Sequence, residues 1–571
     1  MVKVTVNIKR KRRYFQTRPT HNIGDLEATT FMSSLQKRLQ QERPNTETEV
    51  QDLYDSLEDN LAQAANAALK TPKAKNNKCK LSQGTIALMN QRGRLQPTRD
   101  ESETKRQEYS ELDKLTKRSI RRDLREYHTS ETRRILESTK SIRKAKKQMT
   151  NGKQWILGTK GPGGDRAASR EDIIKEATEF YRSLYSSSKT TRWQGHTHPP
   201  NTNTDDHVPP IIQSEVRVAI EELKTGRTPG EDHIFNEYLK LGLEHLLEPL
   251  TTVFNSILHK EVIPNQWKMS KIILLHKKGA KDELHNYRPI SLMSNVYKLF
   301  SKIITRRITK KLDENQSHDQ AGFRSGFSTV DHLQTVKQVI EKAEEFNLPL
   351  YLAFVDYTKA FDTVEHICVL QALEKQGIEP KYIRILSNLY EEAYAKVTTE
   401  REGPTFRLER GVRQGDPISP KLFTSLLEDI FRQLHWKGKY GILIDGNRLT
   451  NLRFADDVVL FARRPDDLQA MLQDLSNASK TTGLAMNMSK TQVMTNRQLA
   501  PILVNSVQLQ YVPEYIYLGQ LIAFKNTMDK ELKRRIAIAW KTFWSLKFIL
   551  LDRNLNRKLK FEALESCIFP S

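Results

Sequence analysis

Two adjacent acids set inside an apolar run constrain this chain more than any other feature. Residues Asn451 to Ala462 read NLRFADDVVLFA. Asp456 and Asp457 there separate Leu452-Arg453-Phe454-Ala455 from Val458-Val459-Leu460-Phe461, the pattern of two short strands joined by a tight turn. Carboxylates are costly to bury without a counter-charge or a metal, so acids this close to apolar strands must lie at a turn, face water or bind a cation. Taken alone, the pair reads as an ordinary solvated hairpin tip. Whether it does more depends on residues elsewhere.

A chain of 571 residues exceeds one compact core and is expected to divide into about three or four folding units. The formal net charge is +23, from 92 Lys and Arg against 69 Asp and Glu, which favours a polyanionic partner, nucleic acid being the commonest. Residues 1–160 carry 35 basic and 19 acidic side chains, so +16 of that excess lies there. The three cysteines, Cys79, Cys368 and Cys567, have no paired spacing, which implies a reducing compartment and no cysteine zinc site. No apolar run is long enough for a membrane span or a secretory signal. Lys9 to Arg13 (KRKRR) fits a nuclear localisation signal or a nucleic-acid contact, and equally a solvated basic strand end.

In chain order, Val2 to Ile8 alternate as one strand without a neighbour. From Phe31 to Ala68, leucines such as Leu35, Leu39, Leu53, Leu57 and Leu61 recur at helical spacing. Lys70 to Lys80 reads as a basic linker. Asp100 to Met149 reads as a long exposed helix that ends in the basic run Ser141 to Lys147; it is either a nucleic-acid-binding arm or a solvated helix with internal ion pairs. Residues 160–165 and 187–210 have linker composition, so the main globular part is expected from about Pro209. Ser214 is placed to cap a helix. Lys271 to Leu275 forms a strand feeding the basic loop His276 to Lys281.

Tyr351 to Val355 is an apolar strand that ends in Asp356, a station for a metal ligand or for a helix cap. Residues 411–420 read GVRQGDPISP and precede an apolar helix from Leu422 to Ile430. Gly411, Gly415 and the two prolines fix a tight loop there, with Arg413, Gln414 and backbone amides expected to face a phosphate or base.

FVDYTKAFDTVEH, GVRQGDPISPKLF and RFADDVVLF, in this order and spacing, resemble motifs A, B and C of the reverse transcriptases of non-long-terminal-repeat (LINE-type) retrotransposons. KTGRTPGEDHI, IPNQWKMSKIILLHKKG and NYRPISLMSNVYKLFSKIITRRI resemble the finger motifs of that family, and DQAGFRSGFSTVDHL its segment before motif A. GLAMNMSKTQVM resembles motif D and YIYLGQLI the primer-grip motif E. The resemblance spans roughly residues 210–525.

It implies an α+β right-hand polymerase with fingers, a palm built on an antiparallel sheet, a partial thumb and a helical, basic N-terminal region. It implies RNA-directed DNA synthesis by nucleotidyl transfer, with two Mg²⁺ ions (Mn²⁺ in their place being acceptable) held by Asp356, Asp456 and Asp457. Phe361 matches the steric-gate aromatic that favours deoxynucleoside triphosphates; a core phenylalanine is the plainer alternative. Gln414 and Gly415 would border the nucleotide and template. Arg288 matches the arginine that grips the triphosphate, with Lys277 or Lys278 as its partner. Lys490 matches a lysine proposed to protonate pyrophosphate, against the alternative of a surface lysine. Tyr517, Leu518 and Gly519 would hold the primer end, or simply pack. RNA template and DNA primer or target DNA are the implied macromolecular partners, with no membrane, and the implied place of action is the nucleus.

Departures from the family shape the expected division. Residues 1–20 look like the remnant of an upstream endonuclease-like domain, 21–208 a basic, mostly helical linker region, 209–500 fingers and palm, and 501–571 a primer-grip strand with an incomplete thumb. The chain thus reads as a fragment of an endonuclease–reverse transcriptase polyprotein. The rival from another class is a relic that only binds RNA or DNA. An RNA-dependent RNA polymerase is disfavoured by Phe454-Ala455-Asp456-Asp457 and Phe361, and a group II intron maturase, expected to have a splicing domain after the thumb, by the lack of one in this sequence.

Overall fold

The computed structural model describes residues 25–41, 48–68, 80–95, 103–139, 156, 158–160, 166–167, 169–187, 189, 208–436, 438–551 and 556–569. The strand Val2 to Ile8, the cluster Lys9 to Arg13, Cys79, the basic run Ser141 to Lys147 and most of the three linkers lie outside the described residues. The chain forms two compact units, one of residues 1–71 with 156–519, the other of 72–155 with 520–571.

The first unit is built on two sheets. Its fingers sheet contains β1 (Met269–His276), β2 (Tyr287–Leu292), β4 (Tyr394–Thr398) and β5 (Glu402–Arg407), in the order β2-β1-β4-β5. β1 runs antiparallel to β2, with His276 opposite Tyr287, and parallel to β4. The palm sheet contains β3 (Tyr351–Val355), β6 (Asn451–Phe454), β7 (Asp457–Ala462), β8 (Gln492–Thr495) and β9 (Gln510–Tyr511), in the order β6-β7-β3-β8-β9. It is antiparallel as far as β8; the last pair, β8 and β9, is parallel, contrary to a wholly antiparallel palm. All five residues of β3 are buried, as an uninterrupted apolar run in a central strand requires.

Helices α1 (Asp25–Gln41) and α2 (Val50–Ala68) bury Phe31, Leu35, Leu53, Tyr54, Leu57 and Leu61 in the same core as the fingers helices. Composition groups these helices with the basic linker, whereas packing groups them with the fingers. An amphipathic stripe finds the nearest apolar surface whatever the charge of the chain beyond it. Trp267, fully buried, contacts Tyr54, Phe254, Tyr297 and Phe300 through ring centroids 5.4–6.3 Å apart. Helix α3 (Arg170–Tyr185) lies on the fingers sheet through Ile174, Ala177, Tyr181 and Tyr185. Ser214 does not cap its helix: that helix runs Gln213–Glu221, and the Glu215 carboxylate accepts instead from Ile212 N at 3.1 Å. Behind the palm lie α4 (His366–Lys375), α5 (Ser419–Gln433) and α6 (Pro465–Thr481), with all of Leu422 to Phe431 buried on α5.

The second unit holds the long charged segment, helical over Glu103–Thr139 and mostly exposed, beside the helix Gln83–Arg94. Asp123 joins them: its Oδ2 accepts from Ser82 N and Oγ at 2.8 and 2.7 Å and from Thr85 Oγ1 at 2.6 Å. The unit also contains the strand Gln520–Ala523 and the basic helix Thr527–Ser545. Among the described residues no helix is long and apolar enough to cross a membrane, and neither Cys368 nor Cys567 is in a disulfide.

Candidate active site

Sheet register alone gathers three carboxylates. Asp356 is the first residue past the buried strand β3. In the antiparallel neighbour β7, Val458 lies opposite Val355, so Asp457 stands at the same end of the sheet as Asp356. Phe454 pairs with Asp457, leaving Ala455 and Asp456 as a two-residue hairpin connection. Ala455 has φ +56°, the left-handed value that primed hairpin turns use at their first central residue.

Asp456 and Asp457 are exposed at the hairpin tip, yet the surrounding protein still costs their carboxylates hydration. Lost hydration is the main cause raising both pKa values, to about 6 for Asp457. For Asp457 the charges of Asp456 and Asp356 add to the rise. The Lys277 ammonium pulls both carboxylates back down, and Arg288 does the same for Asp456. Asp356 Oδ2 is buried and has no hydrogen-bond partner, with Lys490 Nζ 3.7 Å away. Among the described residues no three acidic, His or Cys side chains close into a cation cage. The donor set nonetheless fits a hard divalent cation: all ligands are oxygens, one of them unspent, and Mg²⁺ is commonly held by one or two carboxylates plus substrate phosphates rather than by a protein cage.

The remaining residues singled out by sequence fall around this point or away from it. Lys277, Lys278 and Arg288 are exposed on the β1–β2 hairpin, Lys277 tied by its backbone N to Asn286 O at 2.9 Å. Phe361, half-buried, stacks on Phe423 with centroids 4.5 Å apart, and Phe323 meets it edge-on at 6.3 Å. Gln414 is half-buried; its Nε2 lies 2.9 and 3.0 Å from the two Asp362 oxygens, and its backbone O accepts from Ser291 N at 2.8 Å. Gly415 has φ +114°, and a Cβ there would stand 3.0 Å from Ser291 O. Tyr517 is buried, 5.6 Å from the Phe354 ring, with its hydroxyl 3.5 Å from His332 Nδ1. Leu518 and Gly519, at φ +46° and +85°, make the tight turn after it.

Arg413 departs from expectation. Its guanidinium is buried and donates to Trp267 O at 2.8 Å and Lys268 O at 3.2 Å, so it braces the fingers instead of facing a phosphate. Five further residues were not evident from sequence. Gln320 Oε1 accepts from Gly322 N at 2.8 Å and Ala455 N at 3.2 Å, bracing the hairpin tip from behind. Arg453 is fully buried, 3.1 Å from Glu428 and over the Phe431 ring at 4.4 Å. Tyr515 stacks on Phe354 at 4.2 Å, and its hydroxyl is pushed up to about 12 by burial and then by Asp457 and Asp356. Asp362 is buried beneath Gln414, and Phe323 is 49 % exposed beside Phe361. Of these, Gln320 and Phe323 lie in the quoted segment DQAGFRSGF, whose glycine between polar and aromatic residues was the available signal. Arg453, Asp362 and Tyr515 also lie in quoted motifs, but nothing in those motifs tells what they meet, because their partners are remote in sequence.

Residues 275–522 match the family described as reverse transcriptase (RNA-dependent DNA polymerase). The chain is 27% identical over 380 residues to the probable RNA-directed DNA polymerase from transposon BS of Drosophila melanogaster, covering 64% of this chain and 41% of that protein. It is 29% identical over 376 residues to the RNA-directed DNA polymerase from mobile element jockey of the same organism, covering 63% and 40%. With the type-1 retrotransposable element R2 Pol polyprotein of Nasonia vitripennis it shares 29% over 242 residues, 42% of this chain and 23% of that one. The chain thus spans about two fifths or less of the length of these relatives. Apo telomerase from Candida tropicalis, truncated from its C-terminal domain, superimposes over 90% of this chain and 97% of its own, at 12% identity and a TM-score of 0.36, a likeness too loose to argue from. Family match and palm geometry converge: residues 275–522 carry a reverse transcriptase domain with an α+β right-hand polymerase fold, similar to the RNA-directed DNA polymerases of transposon BS and jockey and to the R2 Pol polyprotein.

Proposed function

We propose that this chain is an RNA-directed DNA polymerase that extends a DNA primer on an RNA template with deoxynucleoside triphosphates. The observation that carries the reading is the buried Oδ2 of Asp356, which accepts no hydrogen bond, at the sheet end it shares with Asp456 and Asp457. Asp356 and Asp456 are the main ligands for two divalent cations, Mg²⁺ by ligand chemistry, with Asp457 secondary. Bound there, the ions offset the charge that develops on the attacking, leaving and non-bridging oxygens.

The protein supplies the rest. Lys277 is the lysine we pair with Arg288, because its charge already acts on Asp456 and Asp457; together they bind the triphosphate. The Phe361 ring, held by Phe423, blocks the space of a ribose 2′-hydroxyl. Gln414 contacts the nucleotide, and Gly415, lacking a side chain, lets template and nucleotide approach the backbone. Lys490 protonates the departing pyrophosphate. The turn at Tyr517, Leu518 and Gly519 supports the primer end. We place this activity in the nucleus, on the strength of Lys9 to Arg13 and of the transposable-element relatives.

The test is Mg²⁺-dependent extension of a DNA primer on an RNA template by the wild-type chain. Extension with deoxynucleotides, abolished by chelator, is expected. Binding of RNA and primer without any extension would instead make the chain a nucleic-acid-binding relic.

A further inference from the structure

Helix α3 lies outside residues 275–522, the part that matches the family. It is nevertheless fastened to the loops that carry the motifs. Glu409 N donates to Tyr185 O at 3.0 Å, Arg410 Nε to Leu184 O at 2.9 Å, Ser187 Oγ to Glu365 Oε2 at 2.7 Å, and Ser187 N to Glu409 Oε2 at 2.9 Å. At its last residue the Tyr185 hydroxyl, in a side chain 5 % exposed, donates to Asp362 Oδ1 at 2.9 Å. Asp362, itself buried, faces the Gln414 amide with both oxygens. An ionised carboxylate can only accept hydrogen bonds, so it dictates which end of a neighbouring amide faces it. The nitrogen of Gln414 must point inward, leaving Oε1 as the acceptor on its open side. Among the described residues the Asp362 oxygens are what fixes the Gln414 amide nitrogen, so without them the two amide orientations would not be distinguished from the buried side.

We propose that Tyr185 and Asp362 are positioning residues for the nucleotide site: they lock the Gln414 amide so that Oε1 accepts a hydrogen bond from the incoming deoxynucleotide. Helix α3 is thereby a working part of that site. This rests on reading the cleft beside Asp356 as the place where nucleotide binds.

The experiment is a double-mutant cycle read by nucleotide affinity. The full chain, bound to an RNA template and a DNA primer with a dideoxy end, is titrated with the complementary deoxynucleoside triphosphate in Ca²⁺. Asp362→Asn keeps the side-chain shape while removing the one-way acceptor, and Tyr185→Phe removes only its hydroxyl donor. Asp362→Asn is expected to weaken binding roughly 10-fold, the scale of one oriented hydrogen bond. Tyr185→Phe is expected to weaken it about 3-fold. In a Gln414→Ala background both effects should shrink to less than about 2-fold, because a residue acting through Gln414 has nothing left to orient. Equal losses in both backgrounds, or no loss in either, overturn the proposal. So does a wild-type complex that binds no nucleotide. A complex that binds nucleotide yet extends no unblocked primer overturns only the polymerase reading.

Discussion

Asp356 and Asp362 lie in one short stretch, FVDYTKAFD, yet the fold treats them in opposite ways. Asp362 is buried with both oxygens engaged, by Tyr185 and Gln414. Asp416 in the next motif is likewise buried, accepting from the Tyr297 and Ser301 hydroxyls and from Ile418 N at 3.3 Å. Asp356, by contrast, holds a buried oxygen with no hydrogen-bond partner, next to two more carboxylates whose pKa values are raised by lost hydration and mutual repulsion. A satisfied acid builds the wall of a site; an unsatisfied group of acids is a debit the fold carries until a cation and substrate arrive. Strain of this kind is retained where function needs it.

The contrast can be broken first at the brace behind the hairpin. A Cβ on Gly322 would stand 2.3 Å from Ala455 N, so Gly322→Ala must push the tip that bears Asp456. Displacements of about 1 Å cost on the order of 100-fold in rate, and primer extension should fall by that much while RNA affinity holds. Undiminished extension would show that the tip is not positioned from behind.

A fully buried ion pair carries the larger stability cost. Glu428→Ala leaves the fully buried Arg453 guanidinium without its partner at 3.1 Å. Breaking a buried pair from one side destabilises by about 3 kcal/mol, to be read as a lower urea midpoint at unchanged slope. Asp356→Asn, in the unsatisfied class and without metal, should lower stability by less than about 0.5 kcal/mol or raise it. Equal losses for the two variants would erase the distinction.

A smaller effect sharpens the comparison through pH. Burial raises Asp362 to about 6, with Tyr185, Lys359 and Gln414 holding it back from rising further and Tyr181 feeling its charge in turn. Because the folded value is raised, the associated stabilisation is complete below the ordinary value of 3.8 and lost as pH climbs through about 6. Function runs the other way, since only the ionised form must accept with both oxygens, whereas the protonated form could also donate to the Gln414 amide oxygen and release its orientation. The KM for deoxynucleotide should therefore rise as pH falls below about 6, and that limb should vanish in Asp362→Asn. A limb that survives the substitution assigns it to another group.

How much of this could be read from sequence depends on how far each residue reaches. Tyr351 to Val355 and the flanks of Asp456 and Asp457 state their strands locally, through apolar runs interrupted by acids, and the register that joins them follows once they are neighbours. The buried residues around the site do not announce themselves. Tyr185 meets Asp362 across 177 positions, and Arg413 meets Trp267 across 146. Arg413 also misleads by composition: an arginine in a Gly-Pro loop before a helix looks like a phosphate ligand until its two terminal nitrogens are seen to donate to the Trp267 and Lys268 carbonyls. The choice between Lys277 and Lys278 was likewise open in sequence, because loop lysines are told apart only by what their charge reaches.

In the proposed function the hairpin acids beside Asp356 form the catalytic cation site of a self-sufficient polymerase. It is tested most directly by comparing the wild-type chain with an Asp456→Ala, Asp457→Ala double variant of unchanged RNA affinity, in Mg²⁺-dependent extension of a DNA primer on RNA. Extension by the wild type alone is the expected result. Extension by the double variant at the wild-type rate would contradict the account, since the chemistry would then not pass through the acids that sheet register brings together.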